Sequence, residues 1–288
     1  MSLGSLERVV PTPIEDPEEL GCESGPLSSS INGASVYLWT SLLRDVQRLT
    51  AYGVVSFATI HWASVGLLPA VAPRHVAQQV FEMARSLYLN DVGDILLGVS
   101  IVGHITLGVA IRITRSIFSK NNKSSTAAKS NSTPVHESES AIGLGGIGSL
   151  IGLGYKRSWI STVVPLLNPI SLSGYLTIIP LAYHVYKFRL VPILVDGDSN
   201  MISLDYVSYY MGLWLNWSML IGLGLIGSYH LVSGGLWMQR KYGAAWKRFG
   251  YGVLFTVLSL GTVLISRLRK IEDTSGFISK TFTSYLSY

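Results

Sequence analysis

Five stretches of this chain are long and apolar enough to cross a lipid bilayer, and nothing else in it restricts the fold as tightly. Inside hydrocarbon every backbone N–H and C=O must find a partner within the segment or in a closed barrel, so a run of about 20 apolar residues has to be helical. The first run, Leu49 to Ala72, carries no charge apart from a possible one on His61. The second, Ile95 to Ile111, is interrupted only by His104. The third lies around Leu172 to Tyr186, within a longer uncharged run that starts near Ser158. The fourth sits within Tyr206 to Gln239, longer than one span needs, so its first part is expected at the membrane surface. The fifth, Phe249 to Ser266, is bracketed by Arg248 and Arg267. Only 14% of the residues are charged and mean hydropathy is +0.38, against about 25% charged in a soluble domain. The expected fold is an all-α membrane protein with about five transmembrane helices.

The polar remainder orients the spans. The second–third connection carries Arg112, Arg115, Lys120, Lys123, Lys129, Lys156 and Arg157, and the fourth–fifth carries Arg240, Lys241, Lys247 and Arg248. The third–fourth connection is acidic, with Asp196, Asp198 and Asp205. Basic residues stay on the cytosolic side, so an odd number of spans with a cytosolic N-terminus is expected; Arg267, Arg269 and Lys270 fit that arrangement less well. The Ser/Asn/Lys-rich stretch Ser119 to Ser140 reads as a disordered loop. The Gly-rich "AIGLGGIGSLIGLG" (Ala141 to Gly154) is too short to span alone. The net charge of +5 comes without a basic block interleaved with aromatics, so nucleic acid is not an expected partner. A single cysteine, Cys22, excludes an internal disulfide framework.

The spans repeat. "LTAYGVVSFATIHWASVGLLP" (Leu49 to Pro69) lies without a gap over "LSGYLTIIPLAYHVYKFRLVP" (Leu172 to Pro192), pairing Tyr52 with Tyr175, His61 with His184 and Pro69 with Pro192. The following spans agree too, "GHITLGVAI" giving His104 and Gly108 where "YHLVSGGLW" gives His230 and Gly234. Each half starts and ends on one side of the membrane. The halves are therefore expected to be parallel repeats about an axis along the membrane normal, two hairpins forming a four-helix bundle with the fifth helix added.

Bundle cores hold cofactors between facing side chains, and ionisable groups inside a bilayer are costly and usually functional. Neutral imidazoles on opposing helices can ligate haem iron from both sides. Gly108 and Gly234, one turn after His104 and His230, would let a flat macrocycle approach the backbone. His-x-x-x-Gly on a second helix, after a first helix opening with "RLTA" (Arg48 to Ala51), resembles the cytochrome b membrane anchor of succinate dehydrogenase. That resemblance implies haem b, with His104 and His230 as axial ligands and Arg48 in the polar signature; the second half has "SLSG" there, with Ser171 in place of the arginine. Counted from the span ends, His61 and His104 differ in depth by about 6 Å at 1.5 Å per residue. One haem is expected on that estimate, with His61 and His184 as a second, supporting pair. There is no nucleophile elbow, nucleotide loop or Cys/His metal spacing, and no enzyme is expected. Among the Asn-x-Ser/Thr matches, Asn122 and Asn131 fall in the cytosolic loop and Asn216 in a span, so none is expected to be glycosylated.

Ahead of the spans stands "RVVPTPIEDPEEL" (Arg8 to Leu20), an acidic peptide with Pro-x-Pro. It is neither a signal peptide nor a presequence, which would be basic. Together with the histidine-bearing repeat, from about Trp39 to Lys241, it resembles the fungal MDM-complementing proteins of the mitochondrial outer membrane. The resemblance implies an adaptor whose Val10, Pro11, Pro13 and Ile14 dock a rod-shaped lipid-transfer protein of the vacuolar-protein-sorting class. A proline-stiffened extended segment loses little entropy on such docking. The expected role is recruitment of that rod to contact sites for mitochondrial lipid homeostasis, with membrane phospholipids as further partners and a weaker expectation of help in leaflet exchange. The alternative is a b-type cytochrome with electron-transfer or quinone chemistry. A transporter ranks last, because no carboxylate lies clearly inside a span. The corresponding organisation is a disordered tail over 1–38, repeats over 39–115 and 159–241, a loop with the Gly-rich segment over 116–158, and the fifth helix with its tail over 242–288.

Overall fold

The computed structural model describes residues 27–125, 144, 169–241, 243–268 and 276–288. All regular structure among them is helical. The chain divides into two compact units, Met1–Leu42 and Leu43–Tyr288; in the first, the described part is the opening of the helix Leu27–Trp62. Five segments are long and apolar enough to cross a membrane: Leu38–Val71, Asp91–Thr114, Pro169–Asp196, Trp214–Met238 and Ala244–Leu268. Most of their surface is uncovered by protein, as at Val99, Val102, Ile179 and Phe255. That is how helices look when lipid, being as apolar as they are, solvates them.

Two helix ends differ from the sequence reading. The first helix begins at Leu27, inside the stretch read as a tail over 1–38. No charge separates Leu27 from Arg44, so nothing ends the helix there. The helix of the second span runs from Asp91 to Ser125, into the segment read as loop, because extending an existing helix costs far less than starting one. The fourth span is preceded by a separate short helix, Leu204–Tyr210, as its excess length suggested.

Two spans widen near their ends into π-helix, Ala63–Leu67 and Tyr186–Leu190. Each is followed by a short α-helix with proline in its first turn, Pro69 in Leu68–Val71 and Pro192 in Val191–Asp196. A proline offers no N–H and its ring crowds the carbonyl four residues back; a wider turn at that place relieves the crowding without breaking the helix. The two π segments stand at the same offset that sets Leu49 over Leu172. A third, Leu223–Gly227, lacks a proline and has no counterpart in the second span. By contrast the helix Pro169–Val185 continues through Pro180.

The largest packed core lies at one end of the spans. An amphipathic helix, Arg74–Tyr88, connects the first two spans and buries Ala77, Phe81 and Ala84, spaced to share one face. The C-terminal helix Phe277–Ser287 buries Thr281, Phe282 and Tyr285. Both meet Ile202, Leu204, Tyr206, Tyr210 and Met211 of the third–fourth connection, together with Val191 and Leu268. The result is a capping layer dense in aromatic edge contacts, such as Tyr206 with Phe282 at 5.2 Å and with Tyr285 at 5.6 Å. A smaller cluster joins Leu236, Tyr251 and Leu254 of the last two spans to Leu144. Leu144 donates its N–H to Ser233 Oγ at 3.1 Å. It is the one described residue of the Gly-rich segment.

Candidate functional site

Four histidines meet as two pairs. His104, on the second span, faces His230, on the fourth, with ring centroids 6.2 Å apart and planes at 72°. Each ring is held by its Nδ1 to a backbone carbonyl of the neighbouring helix: His104 to Gln47 O at 3.5 Å, His230 to Ile170 O at 3.0 Å. A carbonyl only accepts, so both Nδ1 atoms carry the proton and both Nε2 atoms keep a lone pair. Ser173 Oγ adds a contact to His230 Nδ1 at 3.3 Å. Under the gap-free overlay Gln47 and Ile170 occupy the same position, so the two rings are oriented by matched carbonyls.

The other two rings, on the first and third spans, are His61 and His184, with centroids 5.9 Å apart and planes again at 72°. Phe57 stacks on His61 at 5.2 Å and Phe188 on His184 at 4.7 Å, each one turn away on the same helix. His61 Nδ1 lies 3.1 Å from the Tyr88 hydroxyl. His184 Nδ1 is buried and meets no partner among the described residues.

The depth estimate made from sequence is corrected here. His104 is anchored at Gln47, and His61 stands fourteen residues further along the same continuous helix. The third span repeats the interval from Ile170 to His184. At 1.5 Å per residue the two levels are about 21 Å apart, rather than about 6 Å. The earlier figure took the first charge, Arg112, and the start of the first apolar run, Leu49, as matched span ends, whereas the helices carrying them run on to Ser125 and start at Leu27.

A metal–imidazole bond is about 2.0–2.1 Å long. Two such bonds in line across one ion, each continued about 1.1 Å to a ring centre, separate the centres by about 6.2 Å. The His104–His230 pair has that spacing, steeply crossed planes and protonated Nδ1 atoms turned to carbonyls, the outer contact that metal-bound histidines use. The residues present therefore fit bis-histidine ligation of an iron such as that of haem b. Among the described residues no group of three or more His, Cys, Asp or Glu could hold a metal ion.

The remaining sequence candidates are distributed differently. Arg48 makes a surface ion pair with Asp45 at 3.3 Å. A Cβ added to Gly108 would lie 3.0 Å from Gln47 Nε2, and one added to Gly234 would meet nothing within 4 Å. The glycine that presses on a histidine is Gly174, whose added Cβ would stand 2.7 Å from His230 Cε1. It is the last residue of "SLSG", quoted above without a role. Gln47, Ile170 and Tyr88 complete the histidine surroundings, and for the first two the sequence carries no signal, because a backbone carbonyl leaves no mark in residue type. Val10, Pro11, Pro13 and Ile14 lie outside the described residues.

Charged side chains tie the span ends to one another and the parts of the capping layer together. Arg189 pairs with Asp94, and Arg74 with Asp205. Arg85 donates to the carbonyls of Ser199 and Ile202, and burial holds its guanidinium below the usual arginine range. Arg267 donates to Pro69 O at 3.2 Å and Ala70 O at 2.8 Å, which explains a cation on the side that charge counting disfavoured. Asn216 accepts from the Tyr183 hydroxyl at 2.6 Å and donates to Tyr210 O at 3.0 Å, so its side chain is committed to the fold.

The geometry defines a class: an all-α fold among the described residues, with five helices long and apolar enough to cross a membrane, a packed layer at one end and two facing imidazole pairs between them. The chain belongs to the family described as MDM10-complementing protein 1, transmembrane domain, which it matches over residues 56–173 and 179–271. It is similar to the mitochondrial adapter protein MCP1 of Saccharomyces cerevisiae, 27% identical over 258 residues that cover 86% of this chain and 80% of that protein. No solved structure matches it.

Proposed function

We propose that this protein is a non-enzymatic adaptor of the mitochondrial outer membrane. It recruits a bridge-like lipid-transfer protein of the vacuolar-protein-sorting class to membrane contact sites, in support of mitochondrial lipid homeostasis. The observation that carries the reading is the family match across both halves of the span region; the yeast relative is named a mitochondrial adapter. The docking element is the acidic Pro-x-Pro peptide, with Pro11 and Pro13 as its rigid core and Val10 and Ile14 as flanking apolar contacts. Its N-terminus is cytosolic, so the capping layer faces the intermembrane space. The test is recruitment of the lipid-transfer rod to mitochondria by full-length protein, with Pro11 and Pro13 changed to alanine. Loss of recruitment with normal membrane insertion supports the reading, and unchanged recruitment removes the docking claim.

The two halves act as parallel repeats forming a four-helix bundle, with the fifth span added. The matched π segments, the matched carbonyl anchors of His104 and His230, and the contact of each histidine with its own counterpart all favour this.

A second reading is favoured by the 6.2 Å spacing of His104 and His230. His104 and His230 would hold haem b, as structure or as the basis of redox chemistry. When bound, the haem iron supplies a one-electron couple. The chain orients both Nε2 lone pairs through the Gln47 and Ile170 carbonyls. Protein purified with haem supplied should show a Soret band that shifts on reduction and is lost in His104→Ala or His230→Ala. A colourless preparation removes this reading and leaves the adaptor intact.

A further inference from the structure

We propose that His61 and His184 are the axial ligands of a second haem b, about 21 Å from the first along the membrane normal, so that the spans hold two centres at opposite depths. This rests on the haem reading of His104 and His230.

The first argument is symmetry. His61 and His184 are equivalent in the two halves, and so are His104 and His230. Under a two-fold relation, a side chain that touches its own counterpart lies at the axis. Both pairs do so, at 5.9 and 6.2 Å with the same 72° between planes. One axis therefore passes between both pairs, and a ligand bound alike from two sides has its place on that axis.

The second argument is the state of the ring nitrogens. His61 Nδ1 lies 3.1 Å from the Tyr88 hydroxyl; with the Tyr88 oxygen accepting from Nδ1–H, the lone pair is on Nε2. His184 has a buried Nδ1 with no partner among the described residues. A buried polar atom without a partner is uncommon in a native fold and calls for an explanation; a bound group that this chain does not itself supply, contacting the edge of the His184 ring, would be one. Phe57 and Phe188 each cover one face of a ring, so the pair is shielded from water.

The third argument is depth. Had the two levels been about 6 Å apart, two macrocycles would collide. With fourteen residues between them on both the first and the third span, they do not.

The test is haem stoichiometry on the intact, full-length protein purified with haem present, read as pyridine haemochrome per chain, with low-spin signals counted by electron paramagnetic resonance. Two haems and two low-spin signals are expected. His61→Ala and His184→Ala should each retain one haem and one signal, and His104→Ala and His230→Ala should retain the other. One haem per chain, lost in His104→Ala and unaffected by His61→Ala, overturns the second site and leaves the first standing. No haem in any form overturns both. Because an alanine at either position could unfold the layer, Tyr88→Phe supplies an independent readout. It keeps the ring that packs edge-on against Phe57 at 4.9 Å and removes only the hydroxyl beside His61. One of two midpoint potentials should move while the other stays; two unmoved potentials overturn the assignment of His61.

Discussion

Lys187, buried at the end of the third span, donates its ammonium to the carbonyls of Leu286 at 3.2 Å and Tyr285 at 3.4 Å. These are end carbonyls of the C-terminal helix, which have no partner within it. One cation thus closes the last helix onto the spans and finds a partner for its own buried charge.

Stability should accordingly depend on the C-terminal helix. Phe282 is fully buried among Tyr206, Tyr209 and Tyr285, and Phe282→Ala should cost about 3–5 kcal/mol, as core aromatics do. Lys187→Met keeps the stem volume and removes a buried charge with its two bonds, so it should cost less. Unfolding in detergent, followed by tryptophan fluorescence against denaturant, checks the order of the two.

The two arginines of the linking helix should separate by burial. The Arg74–Asp205 pair is 52% and 39% exposed, so Asp205→Asn should change stability by less than about 1 kcal/mol. Arg85 bridges two backbone carbonyls while partly desolvated, so Arg85→Gln should cost about 1.5–3 kcal/mol. The same unfolding measurement distinguishes them.

Glycine replacements should discriminate among the histidine neighbours. Gly174→Ala places a methyl 2.7 Å from His230 Cε1, so it should turn that ring and, on the haem reading proposed above, weaken or shift the Soret band of protein purified with haem supplied. Gly234→Ala enters open space, and Gly108→Ala meets only the end of the flexible Gln47 side chain; both should leave the spectrum as in the wild type. Absorption spectra of the three variants settle the ranking.

Alkaline pH should loosen the capping layer. Burial raises the phenols of Tyr206, Tyr210 and Tyr285 above their usual value, and for Tyr285 the hydrogen bond and charge of Asp196 add to the effect. Above about pH 10 the unfolded chain releases these protons while the folded one retains them, so stability present at neutral pH falls as pH rises further. Tyr285→Phe should flatten that decline. Thermal unfolding measured from pH 8 to 11 reads it.

How far the sequence carried depends on element length. The five spans were legible because about 20 apolar residues in a row have one interpretation, and the histidine pairs because Leu49 to Pro69 and Leu172 to Pro192 overlay without a gap. The capping layer was not. Its buried residues come from Arg74–Tyr88, Leu204–Tyr210 and Phe277–Ser287, and short amphipathic helices show their apolar face only once the partner that covers it is known. Histidine depth was misjudged for a related reason. The first charge after an apolar run, Arg112, does not end its helix, and the register is set by the Gln47 carbonyl, which residue type does not reveal.

The capping layer also sets the order in which the protein can be made. Its core joins Ala77 to Tyr285, and the Pro69 and Ala70 carbonyls wait for Arg267. Contacts so far apart in sequence cannot form during synthesis of the first half. The packing around the early spans at this end is therefore complete only once Phe277–Ser287 is available. A stop ahead of Phe277 would leave all five apolar helices and remove Phe282, Tyr285 and the two carbonyls that hold Lys187, so the spans would be present without the helix that closes this end.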